Sequence, residues 1–364
     1  MLANCIQLPS YILYILNYKL FRKVNSSLQK AYGSLIVILT WMFCPLELVL
    51  TGDFNELLEE DNTVVMSNHL IYSDWWYIWI LSWVSGKHGN IRIILKNSLK
   101  YLPFFGWAMS YFEFIFLTRK WVADKANLTE NLSKCKSNNL PIWLVIFPEG
   151  TVICDETIPS STKYLKKMNW VEKYPLSNVL LPKHTGLFHS LDILKPKSLY
   201  DVTLSYSGVT EGKFAYDVYP LAKVFFKGEG PKRVYLNIKR HDLSSIRGFQ
   251  SEVAEGGGSN VSERSEEFGD FLREQFLLKD LQLKNFYSHQ DDSSNDIDEA
   301  IHNQQQKKII KCTPKIKDFI FLGLILFTCC FTLNRILALL KISLSIKQTG
   351  GLFGTSILAI LIMR

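Results

Sequence analysis

The 364-residue chain reads as an α/β protein: a mostly parallel or mixed sheet flanked by helices, with membrane helices before and after it. Three observations predict this. Between residues 61 and 240, short β-rich apolar runs alternate with longer mixed ones, the pattern of buried strands separated by helices. Residues 31–50 form an apolar run long enough to cross a bilayer, and residues 319–340 form a second.

In chain order, Ile6 to Leu16 is apolar and is followed by Lys19, Arg22 and Lys23. A signal peptide carries its charges ahead of the apolar run, so an interfacial helix or uncleaved anchor is expected. Pro45 and Glu47 near the end of the 31–50 run leave a re-entrant or interfacial segment open. Strands are expected near residues 63–67, 92–95, 112–117, 142–147, 179–181, 201–206 and 234–238, and helices over 74–85, 121–138 and 183–193. Beyond residue 243 the chain turns polar. Gly256, Gly257, Gly258 and Ser259 suggest a flexible stretch, and residues 291–306 are polar and expected to be mobile. Between them, Phe268, Phe271, Leu272, Phe276 and Leu278 give residues 262–284 the stripe of a packed amphipathic helix. Asn334 and Arg335 interrupt the second membrane candidate, and the apolar run 349–363 is short for a span. The expected organisation is therefore membrane-associated helices over 1–60, an α/β domain over 61–242, a partly mobile polar segment over 243–310, and a C-terminal membrane region over 311–364.

A formal net charge of +7 suits an anionic membrane surface or a phosphorylated substrate. Nucleic acid is not expected as a partner, because no zinc-finger spacing, basic helix or RNA-binding aromatic motif is present. The seven cysteines form no C-x-x-C pair, which argues against a disulfide framework or a zinc site.

In open α/β sheets, ligands sit at the carboxyl ends of the strands. Here five expected strands run into Asn68-His69, Lys96, Thr118-Arg119, Phe147-Pro148-Glu149-Gly150-Thr151 and Pro182-Lys183-His184. The first is followed five residues later by Asp74. A carboxylate can hold one imidazole nitrogen protonated and leave the other free to take a proton. Positions five apart in one continuous helix are rotated by about 140° and face apart. His69 and Asp74 can therefore meet only if His69 precedes a helix and Asp74 opens it, where a carboxylate is also favoured by the helix dipole. Glycine in the 147–151 turn would let backbone amides approach an anion. No G-x-S-x-G elbow supports a serine nucleophile. On the residues alone, a structural histidine and an ordinary strand exit stay open.

Together the two stretches resemble the glycerolipid acyltransferase family, the group that includes the 1-acylglycerol-3-phosphate acyltransferases. Its N-H-x-x-x-x-D signature is matched by Asn68, His69 and Asp74, and its F-P-E-G-T signature by Phe147 to Thr151. The signature between them is matched loosely by Gly106 and Phe114 to Arg119, and the last by Val179 to Pro182. All four fall in family order, within about residues 61–220. Leu95-Lys96, Leu102-Pro103, Gly106 to Met109, Lys120-Trp121, Pro182 and Thr185 to Leu187 are similar to the branch holding lysocardiolipin and lysophosphatidylinositol acyltransferases. Val152 stands where many phosphatidate-forming members carry arginine, and the branch's basic residue after F-P-E-G-T is matched at best by Lys163.

The resemblance implies a membrane-bound, acyl-CoA-dependent enzyme that acylates a lysophospholipid hydroxyl. It has His69 as base, Asp74 orienting it, and no acyl-enzyme, cofactor or metal. Glu149, Gly150 and Thr151 would position the acceptor head group, and Arg119, with Lys96 and Lys183 as further candidates, would meet its phosphate. The expected location is the endoplasmic reticulum membrane, as an integral or multi-pass protein. Two rivals remain: an acyl-CoA thioesterase or lipid hydrolase using the same dyad on water, and a non-catalytic lipid-binding membrane protein.

Overall fold

Val64, Val65 and Met66 have no exposed surface, so their strand needs cover on both faces and partners on both edges. The computed structural model describes residues 3–250, 260–288 and 306–339, with side chains to 335. In chain order the elements are α1 (Asn4–Leu16), α2 (Tyr18–Phe43), β1 (Glu47–Gly52), α3 (Phe54–Glu59), β2 (Thr63–Ser67), α4 (Asp74–Val84), β3 (Ile91–Lys96), α5 (Phe105–Tyr111), β4 (Ile115–Leu117), α6 (Trp121–Ser137), β5 (Trp143–Ile146), α7 (Ile158–Lys167), α8 (His184–Leu194), β6 (Ser198–Tyr206), α9 (Ala215–Val218), β7 (Arg233–Asp242), α10 (Val261–Ser288), β8 (Lys307–Lys311) and α11 (Ile316–Leu339). The strands form one sheet in the order β4-β3-β5-β2-β6-β7-β1-β8.

Strands β4, β3, β5, β2 and β6 are mutually parallel. β7 runs antiparallel to β6, β1 parallel to β7, and β8 antiparallel to β1. The mixed sheet flanked by helices is as the sequence predicts. Alternation along β6 identifies its two covers. Asp201 and Thr203 meet Lys279 of α10, whereas Tyr206 meets Asp74 and Tyr77 of α4. α2, α4 and α11 belong to the second side; α6, α8 and α10 pack together on the first.

Three elements differ from expectation. The run at 31–50 is not one membrane helix. α2 ends at Phe43, Pro45 follows, and Glu47–Gly52 becomes a strand between β7 and β8. α2 also buries Arg22, Asn25, Gln29 and Ser34 against the domain. Arg22 Nε sits 3.2 Å from Glu113 Oε2, which also pairs with Arg92. The second difference is the 179–181 run, which forms no strand: the chain bends over 177–179 and stays outside the sheet to residue 183. Its neighbourhood spends successive amides elsewhere: Ser177, Asn178 and Val179 donate to Asp280, Leu180 to Glu149, Leu181 to Ser161 Oγ and Lys183 to the Pro148 carbonyl. A strand cannot share those donors with a ladder. Third, the lysine-rich segment 307–311 forms the edge strand β8, and lysine is a common device for blunting an edge.

Among the described residues, Ile316–Arg335 is the helix long and apolar enough to cross a membrane. Its Phe319, Ile320, Leu324, Phe327 and Phe331 are exposed, as are Leu8, Ile12 and Ile15 of α1. The expected flexible stretch at 256–259, nearly all of the polar run 291–306 and the apolar run 349–363 lie outside the described residues.

Candidate active site

β2 ends at Ser67 and α4 begins at Asp74, which gives the break that His69 and Asp74 need. β6 runs past the end of β2, and Asn68 bridges to it. The Asn68 side chain accepts from Leu204 N–H at 2.7 Å and donates to the Leu204 carbonyl at 3.0 Å, fully buried. The turn then folds around one carboxylate. Asp74 Oδ2 accepts from His69 Nδ1 at 2.7 Å, Leu70 N–H at 2.6 Å and Ile71 N–H at 3.1 Å. Its Oδ1 accepts from the Tyr206 hydroxyl. Asp74 is completely buried, while the His69 side chain keeps 17% exposure. Nδ1 therefore carries the proton, and Nε2 is left as the proton acceptor.

The turn after β5 grips His69 from the other side. Phe147 stacks on the imidazole at 4.5 Å between centroids. Glu149 Oε1 accepts His69 N–H at 2.7 Å, and Ile153 N–H donates to the His69 carbonyl at 3.1 Å. Glu149 Oε2 accepts Leu180 N–H at 2.9 Å. With 2% of its surface exposed, Glu149 has both carboxyl oxygens engaged by backbone, that of His69 and that of Leu180. Burial pushes its carboxyl up to about 8, against the two amides that favour the charged form.

Gly150 adopts φ 74°, a left-handed conformation that glycine takes at no steric cost. A Cβ there would sit 3.6 Å from Lys183 Nζ. Burial and then the charge of Arg119 hold the Lys183 ammonium below its usual range. Arg119 itself has φ 66°, which is unusual for a residue with a side chain. Asp124 fixes that turn by accepting Thr118 N–H at 2.8 Å, the Thr118 hydroxyl at 2.8 Å and Lys120 N–H at 3.0 Å. Thr151 is half-buried next to Gly150. Lys96 is exposed at the end of β3, in register with Leu117, and two strands from β2. At about 4.8 Å per strand, this places it roughly 10 Å to the side of the dyad.

Tyr206, Asp124 and Asp280 carry no motif in the sequence. Tyr206 becomes identifiable only when β6 is seen to outrun β2. A cavity lined in part by Thr63, Ile142 and Lys197 opens at the opposite ends of the strands, away from the dyad. Among the described residues, no group of three or more His, Cys, Asp or Glu side chains is placed to hold a metal ion.

A family model described as acyltransferase matches residues 52–207, the stretch that carries the dyad, the Glu149 turn and Tyr206. The chain is 34% identical over 249 residues to an uncharacterized acyltransferase of Schizosaccharomyces pombe, covering 64% of this chain and 70% of that protein. The chain belongs to the glycerolipid acyltransferase family. It is also 33% identical over 264 residues to a 2-acyl-1-lysophosphatidylinositol acyltransferase of Saccharomyces cerevisiae, covering 63% of this chain and 62% of that protein. To lysocardiolipin acyltransferase 1 of Mus musculus it is 28% identical over 242 residues, covering 65% and 61%. The chain thus spans about six-tenths of the length of these last two acyltransferases.

Proposed function

We propose that this acyltransferase moves a fatty acyl group from acyl-CoA to a free hydroxyl of an anionic lysophospholipid, lysophosphatidylinositol first, during phospholipid synthesis or acyl-chain remodelling. The observation that carries the reading is the buried Asp74 carboxylate 2.7 Å from His69 Nδ1, with Nε2 as the free base. His69 Nε2 takes the proton of the acceptor hydroxyl as its oxygen attacks the thioester carbonyl. The carbon–sulfur bond breaks, the ester forms, and the imidazolium returns its proton to the departing CoA thiolate. Asp74 stabilises the imidazolium between those two transfers. The cysteines are not required, and neither a metal nor a cofactor enters.

Arg119 and Lys183 provide a cationic mouth for a phosphate, and arginine's planar fork suits it. Lys96, at the end of β3 beside β4, is a third cation. Gly150 and Thr151 line that mouth, and a relative named for lysophosphatidylinositol supports the choice of acceptor. The exposed apolar faces of α11 and α1 support an integral membrane protein, with α11 as the span and α1 at the interface. The endoplasmic reticulum is the proposed compartment.

The test uses membranes containing wild type or His69→Ala at matched levels. They are given labelled acyl-CoA with lysophosphatidylinositol, lysophosphatidic acid, lysocardiolipin or lysophosphatidylcholine. Acylated lysophosphatidylinositol from the wild type alone is expected. Free fatty acid without acylated product would replace the transferase with a hydrolase. Equal product from both membranes would remove His69 from the chemistry.

A further inference from the structure

We propose that Asp280 of α10, beyond the 52–207 region matched by the family model, is a positioning residue for the active site. The proposal rests on His69 acting as the base in the function above. Asp280 is 3% exposed, and its Oδ1 accepts the backbone N–H groups of Ser177, Asn178 and Val179 at 2.8, 2.5 and 3.2 Å. Its Oδ2 accepts the Ser177 hydroxyl at 3.2 Å. The next amide in the chain, Leu180 N–H, donates to Glu149 Oε2 at 2.9 Å, and Glu149 Oε1 holds His69 N–H at 2.7 Å. Two carboxylates and four consecutive amides therefore connect α10 to the backbone of the base.

The residue before Asp280 fastens the same turn of α10 to the other side of the site. Lys279 is 1% exposed. It donates to the Val202 carbonyl at 2.6 Å and to Thr203 Oγ1 at 3.3 Å, and pairs with Asp201. All three belong to β6, the strand whose Leu204 holds Asn68 and whose Tyr206 holds Asp74. Adjacent helical residues point about 100° apart, so one turn of α10 can bind β6 through Lys279 and the 177–180 segment through Asp280. That segment has no ladder of its own to define its path. Its amides are satisfied by side chains, so its position is the position of those side chains.

This gives α10 a place in catalysis without contact with substrate. In Asp280→Ala the three amides lose their acceptor and the 177–180 segment is released. Leu180 N–H then leaves Glu149, and His69 loses the fixed backbone under its ring. Asp280→Asn keeps one oxygen at the amide cluster and removes only the charge, so it should fall between wild type and Asp280→Ala. Glu274→Gln, on the exposed side of α10, serves as the control.

The experiment measures kcat, the KM for acyl-CoA and the pH profile of all four proteins in membranes at matched levels. It also follows hydrogen exchange of peptides covering 177–183 and 67–72. In Asp280→Ala, kcat should fall roughly 10- to 100-fold, with the KM for acyl-CoA changed by less than about twofold. Releasing the backbone under His69 changes the setting of the base, so the pH profile of kcat should move as well. Exchange should quicken in both peptides. Faster exchange at 177–183 with none at 67–72 would overturn the proposal, whether or not activity is seen. So would a loss of activity that only follows the loss of folded protein, with an unmoved pH profile. If Asp280→Ala does not accumulate, Asp280→Asn carries the same readouts, and a wild-type kcat and profile in it would also overturn the proposal. If the wild type acylates no lysolipid, the functional reading fails, and the two exchange peptides still decide whether Asp280 holds His69.

Discussion

Replacing Asp74 by asparagine isolates the charge of the proposed dyad from its geometry. Leu70 N–H, Ile71 N–H and His69 Nδ1 all point at Oδ2, so the asparagine side-chain oxygen must occupy that place. The histidine tautomer is therefore retained. The amide NH2 then falls where Oδ1 was, and the Tyr206 hydroxyl can turn from donor to acceptor. The two backbone amides and His69 Nδ1 keep their acceptor, and the Tyr206 O–H loses the one it had, so folding should lose about 1–3 kcal/mol. Asp74→Ala, by contrast, would strand two buried backbone amides at about 1–3 kcal/mol each. What Asp74→Asn removes is the carboxylate charge facing an imidazolium. At a separation of about 4 Å and an effective dielectric of about 20, that attraction is worth roughly 4 kcal/mol. At about 1.4 kcal/mol per tenfold, it predicts a fall in kcat of roughly 10²- to 10³-fold. The assay is acylation of lysophosphatidylinositol at saturating acyl-CoA, with membrane level and melting measured beside it. A kcat within about threefold of wild type, in a normally folded variant, would refute the assignment of the base.

Two further outcomes follow from the buried groups around the dyad. The Glu149 carboxyl titrates at about 8 when folded and near its ordinary 4.5 when unfolded. The folded state therefore binds the extra proton between those values, and Glu149's contribution to stability is full below about 4.5 and lost as pH rises through about 8. Glu149→Gln should flatten the stability curve in that window, by at most about 1.4 kcal/mol per pH unit; an unchanged slope would refute the shift. Tyr206→Phe removes the hydroxyl donor from Asp74 Oδ1. It should cost about 1.5–3 kcal/mol of stability in denaturant unfolding, the range for a hydrogen bond to a charged group; an unchanged midpoint would show that water or another donor replaces it.

The sequence revealed most where chemistry and periodicity coincide. The apolar run 63–67 and the aromatic run after Asp74 gave the strand, the break and the helix, and through them the meeting of His69 with Asp74. It misled where composition and environment disagree. Residues 31–50 are apolar enough for a bilayer, but the strand Glu47–Gly52 spends that hydrophobicity in the sheet, with Leu48 and Leu50 fully buried. Val179 to Leu181 has the side chains of a strand, and only its amides, held by Asp280, Glu149 and Ser161, show why it is none. Tyr206, Asp124 and Asp280 were invisible because their partners lie on other elements, and a single tyrosine or aspartate has no spacing to betray it.

Those invisible residues share one physical task with the visible ones. A loop at the end of a parallel strand leaves the sheet with unpaired amides, and in a cleft that must exclude water those amides need an acceptor. Asp74 supplies one for the turn after β2, Asp124 for the turn around Arg119, Glu149 for the backbone of His69, and Asp280 for the segment before Lys183. Each carboxylate is buried, with 5% of its surface exposed or less. A buried, unpaired carboxylate would be costly, but two or three amide donors offset part of the lost hydration, least at Glu149, whose carboxyl is still pushed up to about 8, and fix the loop in one place. The same bonds explain why a site built from loops can hold a base to the tolerance that proton transfer demands. They also imply that the carboxylates are not interchangeable. Asp74 alone touches the imidazole, so its charge should be felt in kcat, whereas the loss of Asp124 should be felt first in how firmly Arg119 is held.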